Sequence, residues 1–293
     1  MSKGYSAHEA DESGLLRILA PNPSPMTEAG TNSYILGTED LVIIDPGPAD
    51  AAHMHAIVQA IRNRPVQAIL VTHSHLDHSP AARPLSDQLD APVLAFGASD
   101  TGRSDLMRRL SDRVGGGEGV DTGFCPDTLI GQGDVLSGQG WTLHAHHTPG
   151  HMANHLSFEW PEGGTVFTGD TVMGWASTLI SPPDGDLGQF MTSLTRLEQL
   201  PATRFLPGHG RPCAPARCAE MRSHRLTREA AILATLTHPR SIAEVVAEVY
   251  RDTPAALHGA AARNVLAHLV YLAEAGRVTA RPGIDPDALW QRS

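Results

Sequence analysis

Four side chains that bind divalent cations fall within six positions of this chain: His73, His75, Asp77 and His78, in the stretch Val71-Thr72-His73-Ser74-His75-Leu76-Asp77-His78-Ser79. Neutral imidazole nitrogens and carboxylate oxygens are donors that zinc accepts at about 2.0–2.2 Å, and imidazole also suits iron. His73 and His75 stand two apart on an extended tip, so their rings point the same way. Asp77 and His78 come round the turn towards a second position. The run Val66 to Val71, apolar except for Gln67, reads as a buried strand that stops where the donors begin. A lone histidine there would read as a solvated loop residue; four donors directly after a strand predict a metal loop.

The motif His-x-His-x-Asp-His resembles the signature of the metallo-β-lactamase fold superfamily, and that resemblance implies three further ligands downstream in fixed order, each after an apolar or β-branched run. His151 closes His147-Thr148-Pro149-Gly150-His151, Asp170 closes Phe167-Thr168-Gly169-Asp170, and His209 sits in Leu206-Pro207-Gly208-His209-Gly210. Gly150, Gly169 and Gly208 permit the tight turns that such loops require. With all three expected ligand types present, the resemblance spans about residues 30–210.

That resemblance implies an α/β (α+β) fold, a four-layer αββα sandwich, with a binuclear metal centre. His73, His75 and His151 would hold one cation, Asp77, His78 and His209 the other, and Asp170 would bridge them. Asp45, in Asp45-Pro46-Gly47, would steady the loop that carries the first ligands; a turn residue or helix cap is its other reading. The expected cofactors are two divalent ions, zinc foremost, with iron or manganese as alternatives. Such a pair makes hydroxide available near neutral pH and clamps the attacked group, and Asp77 would aim the nucleophile as the catalytic residue. The implied activity is hydrolysis of a small-molecule ester, thioester or phosphodiester. Cleavage of single-stranded RNA, as in lactamase-B-2-like nucleases, is one alternative, and an iron-dependent persulfide dioxygenase is another. A flavodiiron reductase is disfavoured, because nothing after His209 reads as βαβ units.

Positioning these donors takes the whole chain. Thr31 to Leu36 and Leu41 to Ile44 read as a hairpin. Asp50 caps a helix whose apolar stripe is Met54, Ile57, Val58 and Ile61, which leaves His53 and His55 solvated. A strand near Pro92 to Phe96 follows. Residues 97–127 break the pattern, and Ser104 to Val114 is expected as a short helix on a mobile flap that positions substrate. Strands Trp141 to Thr148, Asn154 to Trp160 and Thr165 to Thr168 lead to His151 and Asp170. His144, His146, His147 and His155 are expected to pack or to support ligands rather than ligate. Residues 172–186 form a candidate substrate wall, and a helix from Asp186 precedes the strand to His209.

The expected division is 1–211 for the catalytic part and 212–293 for a small helical part. A helix at about 215–236, a Ser241-Ile242-Ala243-Glu244 capping box, a helix around Leu257 to Leu272 closed by Gly276, and a strand at 277–281 resemble a winged helix. The latter portion suggests packing or a homodimer contact; a nucleic-acid-reading role is the alternative.

The composition is that of an ordinary globular protein, 293 residues with 41% hydrophobic and 18% charged side chains, and no apolar run long enough to cross a bilayer. The net charge of −10 is uneven: residues 1–210 carry 11 basic against 24 acidic groups, residues 211–293 carry 11 against 8. An excess of +3 is small beside the basic stripe of a DNA reader. The polar, acidic stretch Met1 to Gly14 lacks the pattern of an export signal, and three cysteines (Cys125, Cys213, Cys218) form no paired framework. Both observations lead to the expectation of a cytoplasmic protein with free thiols.

Overall fold

The computed structural model describes residues 9–10, 14–114 and 117–293. Most of the acidic leader read from Met1 to Gly14 therefore lies outside the described residues. The first half supplies β1 (Glu9–Ala10), β2 (Leu15–Leu19), β3 (Asn32–Leu36), β4 (Leu41–Ile44), α1 (Ala51–Ile61), β5 (Val66–Leu70), α2 (Ala82–Leu89), β6 (Val93–Ala95), α3 (Asp105–Val114) and β7 (Thr128–Leu129). Its strands form one seven-stranded sheet in chain order, antiparallel from β1 to β4 and parallel from β4 to β7. The second half supplies β8 (Val135–Gly138), β9 (Trp141–His147), β10 (Leu156–Trp160), β11 (Thr165–Gly169), α4 (Leu187–Glu198) and β12 (Arg204–Pro207). These strands make a five-stranded sheet ordered β12-β11-β10-β9-β8, in which only the β11–β12 pair is parallel.

Alternation along the strands sorts side chains between two cores. Tyr34, Leu36, Val42, Ile44 and Leu70 point inward to meet Leu143, Phe158 and Phe167 of the other sheet. Ile35, Ile43 and Ile69 point outward against Ile57 and Ile61 of α1 and Leu85 of α2. On the far side, Val166 and Phe205 are covered by Leu187, Phe190, Leu194 and Leu197 of α4. Strands buried on both faces read as continuous apolar runs, which is the pattern of β4 and, apart from the exposed Gln67, of β5. The result is the αββα sandwich.

His53 corrects the sequence reading. It is 2% exposed, and its Nε2 lies 2.8 Å from Ser33 Oγ. Positions 53, 57 and 61 form one i, i+4 row, and that row, not the Met54–Val58 side, faces the sheet most directly. His55 is exposed, as expected.

The remaining elements are α5 (Arg217–Thr235), α6 (Ile242–Val249), α7 (His258–Glu274), β13 (Val278–Arg281) and β14 (Leu289–Arg292). Ser241 and Glu244 make the expected capping box at α6. The wing contains a strand not read from the sequence: β14 pairs with β13 and buries Trp290 completely. α3 forms where expected but is no free flap. Its buried face, Met107, Leu110 and Val114, joins Ile232 of α5, Val245 of α6 and Val265 of α7 in one core. Burying each such side chain contributes roughly 1.5–3 kcal/mol, so this packing holds α3 in place. No helix among the described residues is long and apolar enough to cross a membrane.

Candidate metal centre

The seven predicted donors converge where the two sheets meet, just past the ends of β5, β9, β11 and β12. His73 Nε2 and His151 Nε2 each stand 3.0 Å from His75 Nδ1. His78 Nε2 is 3.3 Å from His209 Nε2, and Asp77 Oδ2 lies 3.1 Å from His209 Nε2 and 3.7 Å from His78 Nε2. Donor atoms bound at about 2.0–2.1 Å in tetrahedral geometry stand about 3.3 Å apart, so both triads are spaced to share an ion. Asp170 touches both: Oδ1 is 3.5 Å from His78, while Oδ2 is 3.2 Å from His209 and 3.8 Å from His151.

The outer ring nitrogens fix which atoms face inward. Thr72 Oγ1 donates to Asp45 Oδ2 at 2.8 Å, so it accepts from His73 Nδ1 at 3.0 Å and leaves His73 Nε2 bare. His151 Nδ1 donates to Leu179 O at 2.8 Å, His209 Nδ1 to Gly30 O at 3.1 Å, and His78 Nδ1 to Asp45 Oδ2 at 2.9 Å. Each bond presents Nε2 to the centre, the usual way that imidazole ligands are oriented. Asp45, in the left-handed region at φ 51, also accepts from the Thr72 N–H at 2.7 Å. This buried carboxylate thus ties the end of β4 to both ends of the metal loop.

The surroundings also fit a cation. Asp170 Oδ1 is buried without a hydrogen bond, which is costly for a carboxylate oxygen unless a positive charge meets it. A Cβ at Gly208 would come within 2.4 Å of that oxygen and 2.5 Å of His78 Cε1, so the turn before His209 needs glycine. Burial, reinforced by neighbouring imidazoles, holds His73 well below its ordinary pKa and brings His75 to about 3 despite Asp77 and Asp170. Burial likewise lowers His151. At His78 and His209 burial also opposes the proton, but Asp77 and Asp170 outweigh it and push these groups up to about 9 and about 11. Burial opposes ionisation of Asp77 and Asp170 too, and the imidazoles beside them nevertheless hold both below the usual carboxylate range.

The family model described as the metallo-beta-lactamase superfamily matches residues 26–209, every one of the seven donors included. The chain belongs to that superfamily. A second family model, the beta-lactamase associated winged helix domain, matches residues 241–285. Among curated relatives, the Beta-lactamase-like protein 2 homolog of Caenorhabditis elegans is 32% identical over 273 residues, covering 89% of this chain and 85% of its own. An atrochrysone carboxyl ACP thioesterase of Aspergillus chevalieri is 29% identical over 259 residues, 82% of this chain and 74% of its own. A metallo-beta-lactamase family protein from Thermus thermophilus superposes with a TM-score of 0.76 at 26% identity, covering 96% of this chain and 99% of that one. Another protein, solved in a di-iron-bound form, gives 0.53 at 28% identity over 70% of this chain and 97% of its own.

Around this superfamily site, residues the sequence reading left as support fall into place. His155 stacks on His73 at 5.0 Å between ring centres and accepts from the Asp170 N–H through Nε2 at 3.1 Å. His147 stacks on Phe96 instead, and His146 meets Glu159 at 3.0 Å. Asn32, outside the donor set, clamps the His209 loop by donating to Pro207 O and Gly210 O. Cys213 and Cys218 belong to no donor group among the described residues.

No local pattern signalled that α5 and α7 reach the site. Arg225 of α5 donates to Thr178 O, and Asn264 Oδ1 of α7 receives Arg225 and lies 3.4 Å from Ile180 N. Between these anchors sits Leu179, whose carbonyl orients His151. The anticipated wall at 172–186 does border the cleft, through Met173, Leu179, Ser181 and Asp184, and Gly259, Ala260 and Arg263 of α7 border it from the other side. The cavity measures about 480 Å³.

Proposed function

We propose that the chain is a binuclear metal-dependent hydrolase acting on thioesters or activated esters. The observation that carries this reading is the pair of donor triads joined by Asp170, all opening on one cavity. His73, His75 and His151 would hold one divalent ion, Asp77, His78 and His209 the second, and Asp170 would touch both. When bound, such ions supply hydroxide near neutral pH and Lewis acidity for the developing oxyanion.

The chain's own residues do the rest. Asp77 has the most exposed side chain of its triad and faces the cavity, where it accepts a hydrogen bond from the attacking water and aims it. Asp45 and His155 hold the donors rigid, which keeps the reacting geometry fixed. Met26, Met173 and Leu179 give the cavity apolar walls that suit an acyl group. With two ions bound, all seven donors would be held deprotonated as ligands, so none of them is a ready acid for a leaving group. A thiolate, whose conjugate acid has a pKa of about 8.5, leaves without one, whereas an alkoxide needs a proton. The thioesterase name of the Aspergillus chevalieri relative supports the same substrate class.

The winged-helix portion fits this reading better than it fits nucleic acid. In helix-turn-helix readers the N-terminal residues of the second helix enter the major groove. Here the corresponding start of α7 borders the metal cavity. The test is a panel of thioesters, lactones, phosphodiesters and short single-stranded RNA assayed alongside metal content. Metal-dependent thioester turnover well above the other substrates is expected; RNA cleavage without it would replace the reading with a nuclease.

A further inference from the structure

We infer that Arg263 of α7 is a binding residue for an oxyanion carried by the substrate, so that the hydrolase takes thioesters bearing a carboxylate or phosphate rather than neutral ones. The inference rests on the hydrolase reading and adds a substrate class to it.

Arg263 is the one arginine or lysine among the described residues that border the metal cavity. Its Nη1 donates to Val114 O at 2.8 Å and more loosely to Pro182 O at 3.4 Å, which pins the guanidinium between α3 and the 172–186 wall. Both partners are neutral carbonyls. A guanidinium offers five donors, and no carboxylate among the described residues lies within ion-pair distance of this one.

Three of the four acidic groups that line the cavity are held by other partners. Asp184 is held by Arg103 at 2.5 Å and accepts from the Gly117 N–H at 3.0 Å. Asp77 and Asp170 face the donor triads. Glu118 is exposed on the rim. With two neutral carbonyls as its hydrogen-bond partners, this guanidinium keeps donors to spare for an anionic group entering the cavity. The guanidinium fork matches carboxylate and phosphate alike. A carboxylate on the acyl group and a phosphate on the thiol arm are the two sources of that chemistry.

Three thioether analogues, which cannot be hydrolysed, separate them: one neutral, one with a carboxylate on the acyl side, one with a phosphate on the thiol arm. Binding of each to the purified metal-containing protein is measured by calorimetry, for the unaltered chain, Arg263→Gln and Arg263→Lys. One anionic probe is expected to bind about tenfold tighter than the neutral one, the scale of a charge-assisted hydrogen bond. That preference should shrink with added salt, vanish in Arg263→Gln and be partly retained in Arg263→Lys, which keeps the charge but not the fork, with thermal melting of both variants controlling for lost packing. The winning probe names the source. Equal binding of all three by the unaltered chain, or a preference that persists in Arg263→Gln, overturns the inference. Turnover of the corresponding neutral thioester by the unaltered chain is scored separately and bears on the hydrolase reading alone.

Discussion

The two donor triads differ in what they hold at neutral pH. His73, His75 and His151 are buried imidazoles that repel a proton, so their lone pairs are ready for a cation. His78 and His209 lie against Asp77 and Asp170 and keep their protons, because two carboxylates supply more attraction than burial removes. A cation entering the second triad must displace those protons, whereas one entering the first displaces none. Three histidines on one side, and two histidines with an aspartate on the other, thus give two sites of different proton dependence, and the cause is the number of carboxylates beside each.

The largest effect that would test this comparison comes from the residue both triads share. Asp170→Ala should lose both metals and reduce turnover by about 10³-fold or more, given the several kcal/mol that metal assistance supplies. Elemental analysis beside kcat/KM checks it; full metal content with normal turnover would show that Asp170 does not join the two sites. Single-triad variants sharpen the contrast: His75→Ala and His209→Ala should each bind one metal per chain instead of two. If either lost both, the triads would not be separate sites.

Next in size is Asp45→Ala. It should weaken metal at the Asp77, His78, His209 triad by about 10–100-fold, the usual cost of losing the group that orients an imidazole, and leave the other triad less affected. Competition with a chromogenic chelator reads both affinities.

The proton dependence has a definite sign in metal-free protein. His78 and His209 have raised pKa values, so the stability they contribute is full below their ordinary value near 6.5 and is lost as pH rises through about 9 and about 11. His75, lowered to about 3, acts in the opposite sense: the unfolded chain takes up its proton first, so stability falls as pH drops from about 6.5 towards 3. Thermal unfolding across pH should therefore peak near pH 6–7, with the alkaline loss reduced in His209→Gln and the acid loss reduced in His75→Gln. A curve unchanged by both substitutions would remove the distinction. The smallest effect is expected at His53, which is buried but touches neither triad. His53→Ala should cost about 1–2 kcal/mol of stability, because the buried Ser33 hydroxyl loses its partner and packing is lost, with two metals still bound. Denaturant unfolding and elemental analysis check the two halves of that expectation.

The C-terminal helices also show how a site is completed from a distance. Arg225 and Asn264 hold the segment of backbone around Leu179, and Arg263 borders the cavity itself. None of the three was legible, because each acts through contacts that span from 39 to 149 residues and leave no local spacing to read. α3 was expected as a helix because a loop as long as 97–127 is seldom structureless, but it was not legible as part of the C-terminal core, for the same reason. His53 was misread because a broad apolar face on a short helix includes rows that a four-residue pattern does not name. The second wing strand, β14, was missed because only pairing with β13 makes Leu289 to Arg292 a strand.

Local chemistry determined the rest. The His-x-His-x-Asp-His loop, the alternating strands and the capping box are short-range patterns, set by side-chain period, turn residues and ligand type, and the three later donors could be found from the order that the loop's family resemblance implies. The tertiary structure alone decided which nitrogen of each histidine faces inward, why one triad keeps its protons while the other does not, and which helix walls the cavity. Those outcomes depend on burial and on charges brought together from remote positions, and both quantities exist only once the chain has closed on itself.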